Sequence, residues 1–114
     1  MTSSTTPSGL KAPGTRLWKS VAGDFELDEH EAALLLEACR TVDLLDALED
    51  AIRRDGPIVT SPQGTKANPA AVEARQQRIA LTRLLADLAI PDESGTPAKR
   101  VRRGARGSYA PRSA

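Results

Sequence analysis

The sequence predicts a mainly α protein: an antiparallel helical hairpin of two long helices, with a short N-terminal helix. A small β-hairpin or structured loop is expected between the long helices, and both tails are expected to be disordered. Three observations predict this. Ala and Leu dominate the apolar content, with one Trp, one Tyr and one Phe, a balance that favours helix over strand. Residues 28–54 hold neither Gly nor Pro and can run as one helix of roughly 40 Å. Residues 69–89 form a second uninterrupted segment, opened by an Asn-Pro pair and ended before Pro91. At 114 residues the chain is one domain with tails: a domain over 9–91, flanked by tails over 1–8 and 92–114.

Residues 1–8 are rich in Thr and Ser and lack the apolar residues that would order them. Gly9 to Gly14 is a turn-rich approach, after which Thr15 is placed to cap a short helix over 16–22. Leu17, Trp18 and Val21 share one side of that helix, leaving Arg16 and Lys19 outward. Trp18 is the one large aromatic anchor near the helices and is expected in the core. Phe25 and Leu27 lie in an extended link.

The central helix is punctuated at both ends. Asp28 and Glu31 have capping-box spacing, in which each side chain satisfies an orphan amide. Arg53 and Arg54 complement the helix C-terminus, and Gly56-Pro57 stops it. At ~100° per residue, Leu34, Leu35, Ala38, Val42, Leu45, Leu48 and Ile52 group on one face. Leu36, Leu44, Ala47 and Ala51 form a smaller group roughly opposite, with Asp43, Asp46 and Asp50 as an acidic strip between. The smaller group either packs against something other than its own chain, or its leucines Leu36 and Leu44 are ordinary exposed residues or touch the N-terminal segment.

Residues 56–69 follow. Ile58 to Thr60 has strand-forming residues, Ser61-Pro62-Gln63-Gly64 suits a tight turn, and Thr65 to Ala67 can return. A two-stranded ribbon alone is marginal, so it should lean on helices or on a neighbouring subunit. Asn68-Pro69 supplies an N-cap and a first-turn proline. The third helix again has two apolar sides: Ala74, Leu81, Leu84, Leu85 and Leu88 on one, Val72, Ile79, Ala86 and Ile90 on the other. Two-sided helices and scarce aromatics describe a monomer whose core is underfilled, for which self-association is the physical remedy.

Chemistry is conspicuous by what is missing. No apolar run approaches the ~18 residues of a membrane span, and the N-terminus lacks the pattern of a signal peptide. Cys39 is the single cysteine, so no intrachain disulfide can form, and a reducing, cytoplasmic setting is expected. His30 is the single histidine and falls in the first turn of the central helix, a surface position. There is no Cys/His set for zinc and no phosphate-cradling Gly-Lys-Ser/Thr motif. No catalytic residue, metal or cofactor is expected.

Charge is segregated. The net +1 conceals six basic and no acidic residues from Lys99 onward, against ten basic and fifteen acidic before it. An acidic body with a basic tail points to nucleic acid or to an acidic protein partner.

Taken in order, these pieces resemble the small terminase subunits of tailed double-stranded DNA phages, over about residues 9–91. The resemblance rests on Gly9-Leu10-Lys11-Ala12-Pro13-Gly14 leading to Leu17-Trp18, then a Leu/Glu-rich helix carrying Cys39, Arg40 and Asp43. It continues through the Gly56-Pro57 stop, Ser61-Pro62-Gln63-Gly64 with Asn68-Pro69, and an Arg-rich helix ending Leu88-Ala89-Ile90-Pro91. Where such proteins commonly have an aromatic-rich stretch before the central helix, this chain has Phe25 alone.

The resemblance implies a non-enzymatic packaging factor in the host cytoplasm. Such a factor assembles as a homo-oligomeric ring of about eight to ten copies, binds double-stranded viral DNA and hands it to the large terminase subunit. On that reading Leu36, Leu44, Ala47, Ala51, Val72, Ile79 and Ala86 are the expected oligomer interface. Lys11, Arg16 and Lys19 are the first expected DNA contacts, since Arg16 and Lys19 lie one helical turn apart and suit adjacent phosphates. Lys66, Arg75 and Arg78 come second; for any of these cations the alternative is a solvated surface charge or an ion pair to the acidic strip of a neighbouring subunit. The tail cations Lys99, Arg100, Arg102, Arg103 and Arg106 are expected either to grip DNA nonspecifically or to dock on the large subunit. A different class of function also fits: a dimeric helical protein-interaction adaptor with no DNA role.

Overall fold

The computed structural model describes residues 5–89. The expected Ile90 and Pro91 at the end of the last helix, and the basic tail with Lys99, Arg100, Arg102, Arg103 and Arg106, lie outside the described residues. Five elements follow one another: α1 (Ala12–Ala22), α2 (Glu29–Asp55), β1 (Ile58–Ser61), β2 (Gly64–Ala67) and α3 (Pro69–Leu88). The architecture is the expected one, with α2 and α3 packed along each other and α1 laid against α2.

The long helices begin and end where their sequence signals stand. The Asp28 amide donates to Glu31 Oε1 at 2.9 Å, closing the capping box of α2. Gly56 ends it at φ +84°, a left-handed backbone that suits glycine, and donates its amide to Ile52 O at 2.7 Å. Asn68 accepts from the Ala70 amide at 2.9 Å to cap α3.

Asn68 also fixes the ribbon. Its backbone amide donates to Pro57 O at 2.8 Å and its side-chain Nδ2 to Gly56 O at 2.7 Å, and the residue is buried. One side chain therefore ties the end of α2, the base of the ribbon and the start of α3. β1 and β2 pair antiparallel from Ile58↔Ala67 to Ser61↔Gly64. Pro62 and Gln63 form the loop, and the Ser61 hydroxyl donates across it to Gly64 O at 3.2 Å.

Both large apolar faces fall where the 3.6-residue period puts them. Leu35 and Ala38 are buried, and Leu34, Val42, Leu45, Leu48 and Ile52 are half-buried; on α3, Ala74 and Leu88 are buried beneath Leu81, Leu84 and Leu85. The core cluster joins Trp18, Val21, Ala22 and Phe25 to Leu35, Cys39 and Leu88. It therefore sits at one end of the α2–α3 hairpin, under α1, while the ribbon stands at the other.

α1 departs from expectation. It starts at Ala12 rather than Arg16, so Thr15 lies inside the helix and donates its amide to Lys11 O. Pro13 in the first turn lacks only an amide that would have been orphaned anyway, and the carboxylate of Asp43 caps the helix from across the fold. Lys11 N donates to Asp43 Oδ2 and Gly14 N to Asp43 Oδ1, each at 2.7 Å. Asp43 is thus not part of a free acidic strip.

Candidate nucleic-acid and subunit interfaces

Asp43 decides where the N-terminal cations stand. A carboxylate at a helix N-terminus meets both unpaired amides and the positive end of the helix dipole. It anchors α1 at its first turn, while Trp18, Val21 and Ala22 bury the opposite side. Lys11, Arg16 and Lys19 are left exposed. Among the described residues no ion pair or side-chain hydrogen bond engages them. Gly14 permits the approach: a Cβ there would stand 2.6 Å from Asp43 Oδ2 and 2.7 Å from Cys39 O. No side chain larger than hydrogen fits without moving α1 off α2.

The remaining expected DNA contacts are not gathered with this group. Lys66 is exposed on β2, across from Val59, at the ribbon end of the hairpin. Arg78 reaches across to α2 and pairs with Glu49, which leaves it bridging the two long helices. Arg75 is exposed without an ion pair among the described residues. By spacing it shares a face with Val72 and Ile79 rather than with the α1 cations. Arg40, Arg53 and Arg54 pair locally with Glu37, Asp50 and Asp55.

The expected subunit-interface residues divide. Leu44, Val72 and Ile79 are 42%, 44% and 45% exposed, a large fraction for branched apolar side chains on a helical hairpin. Ala47 and Ala86 are exposed and Ala51 is half-buried. Leu36 instead packs against the core cluster, because α1 lies over the side of α2 from which it projects. Ile58, absent from the sequence-based set, is 61% exposed. The unpaired edges of a two-residue-loop ribbon were its one available signal.

Cys39 is fully buried, and burial first, then the neighbouring Asp43 carboxylate, pushes its thiol up to about 11. The thiol is therefore protonated and inert at neutral pH. Asp28, His30 and Glu31 bring potential ligand atoms within 4.8 Å of one another, but Glu31 is already committed to the Asp28 amide. The Trp18 indole Nε1 is buried with no hydrogen-bond partner among the described residues. No described helix is long and apolar enough to cross a membrane. Compared with known protein families, with curated proteins and with solved structures, the chain matches none.

Proposed function

We propose that this chain is a non-catalytic DNA-packaging factor of the terminase small-subunit type. It works as a homo-oligomer in the host cytoplasm, binds double-stranded viral DNA and presents it to a large ATPase and nuclease subunit. The observation that carries the reading is the placement of α1. Asp43 and the Trp18 side hold a short helix against α2, while Arg16 and Lys19 on the helix and Lys11 at its N-cap are exposed with no ion pair among the described residues. Unpaired cations on a helix already packed in place suit phosphate contacts, since no backbone has to be ordered for them to bind. Each copy offers few contacts; repetition around an oligomer turns them into a multivalent surface. The resemblance over residues 9–91 supplies the biological setting.

Two measurements test it together. Light scattering coupled to size exclusion should give a single species of about eight to ten chains. Titration of that species with duplex DNA at several salt concentrations should give an affinity that falls steeply as salt rises. A dimer that binds no duplex DNA at low salt would instead favour a protein-interaction adaptor.

A further inference from the structure

The two long helices differ in charge. α2 carries eight carboxylates and three arginines, whereas residues 56–86 carry four cations and one carboxylate, Glu73. That carboxylate accepts from Gln77 Nε2 at 2.7 Å. The side of α3 turned away from α2 concentrates the difference. At ~100° per residue, Val72, Arg75, Gln76, Ile79, Thr82 and Arg83 fall in a band about 120° wide, opposite Ala74 and Leu81. All six are exposed, and the band holds no carboxylate. Arg78, just outside it, turns to Glu49. Arg75 and Arg83 have no ion pair among the described residues.

We propose that this side of α3 is a base-reading face that enters the major groove of duplex DNA. The proposal rests on the DNA-binding reading above and assigns the surface that distinguishes one sequence from another. A helix about 10–12 Å across fits a groove about 12 Å wide, and no described element covers this side of α3. The side chains match what the groove displays. An arginine fork pairs with guanine, the Gln76 amide with adenine, and the branched Val72 and Ile79 suit thymine methyls. The Thr82 hydroxyl donates to Arg78 O at 2.9 Å and keeps lone pairs for a base amine. A protein partner would find no aromatic residue or Met in the band to grip. Acidic α2 lies behind α3 in this pose, so repulsion by the phosphates favours the approach from the α3 side. Asp43 and Glu49, which meet α1 and α3 respectively, lie roughly 120° apart around α2. Phosphate contact by α1 and base reading by α3 therefore fall to different copies on one duplex.

The test offers the full chain a pool of short duplexes of random sequence and selects those that bind. A common motif should be enriched, and the enriched duplex should bind at least about 100-fold more tightly than the random pool. Arg75→Ala with Gln76→Ala should cut that preference by about 10-fold or more. Arg75→Lys keeps the charge and loses the fork, so it should lower the preference and leave the salt slope unchanged. Arg16→Ala with Lys19→Ala should instead weaken binding to both duplexes alike. Circular dichroism and light-scattering mass should be unchanged in every variant. Binding without sequence preference, or a preference that survives the α3 changes, overturns this proposal and leaves the packaging role standing. A changed mass in the α3 variants does the same, and makes the face a contact between copies. A full chain that binds no duplex at low salt overturns both.

Discussion

Asp43 holds Gly14 from the middle of α2: the carboxylate accepts the Gly14 amide at 2.7 Å and, with its second oxygen, the Lys11 amide at the same distance. The bond is long-range in sequence and stands in for the cap that α1 lacks locally. Replacing Asp43 with Ala removes two charge-assisted bonds and leaves the first turn of α1 uncapped. The loss should be about 2–3 kcal/mol in a urea melt. Asp43→Asn, which keeps one acceptor and loses the charge, should fall between.

Gly14→Ala tests the same contact from the other side. The new methyl would overlap Asp43 and the Cys39 carbonyl oxygen, so the helix must lift and both capping bonds stretch. Destabilisation of about 1–3 kcal/mol is expected even though alanine is the better helix former. Combined with Asp43→Ala the loss should be below the sum, because that change removes the overlap with the carboxylate and the capping bonds that the methyl would stretch, while the overlap with the Cys39 carbonyl remains. Strict additivity within ~0.5 kcal/mol would mean that the two residues do not act on one contact.

Asn68→Ala should cost more than a surface cap. It removes the α3 cap, about 1 kcal/mol, and also strips Gly56 O of its donor at a part-buried site, worth about another 1–2 kcal/mol. Amide exchange in β1 and β2 should accelerate more than exchange in α1. If only α3 amides respond, Asn68 does not secure the ribbon.

Cys39 makes stability fall in alkali. Its folded pKa is raised to about 11 from an ordinary 9.0 by burial and by Asp43, so the folded state holds the proton more tightly than the unfolded chain. That contribution is fully present below pH 9.0 and is lost as pH rises toward about 11. Cys39→Ala should flatten this part of the profile. In the wild type, a thiol reagent at pH 8 should label Cys39 only at the rate of opening, so urea should speed labelling sharply.

What the sequence made legible was whatever local rules govern. The capping box at Asp28, the Gly56 stop, the Asn68 cap and both deep apolar faces were readable because each depends on neighbours within a turn or two of helix. The start of α1 was not, since its cap arrives from a residue 29 positions beyond Gly14. A free-looking acidic strip of Asp43, Asp46 and Asp50 hid that role, since periodicity marks which face a carboxylate is on but not what it meets. The pairing of Arg78 was hidden for the same reason: its partner Glu49 lies on another helix. Ile58 was overlooked because a four-residue strand gives too little pattern to tell its open side from its covered one.

The α1 cations carry the sharpest functional prediction. Each phosphate neutralised in duplex DNA adds about 0.9 to the slope of log affinity against log salt. Arg16→Ala with Lys19→Ala should therefore lower that slope by about 2 for every chain in contact with DNA. Helicity and assembly should be unchanged, because both side chains are exposed and unpaired. Lys66→Ala should have a smaller effect, and Arg78→Ala should act on stability through its bond to Glu49 rather than on DNA. Repeating the titration with a chain ending at Ser94 distinguishes body from tail. If the shortened chain keeps most of the wild-type slope and loses it on substitution of Arg16 and Lys19, DNA is held by α1. If shortening alone abolishes binding, the tail is the DNA grip, and the outward cations of α1 must serve a protein partner instead.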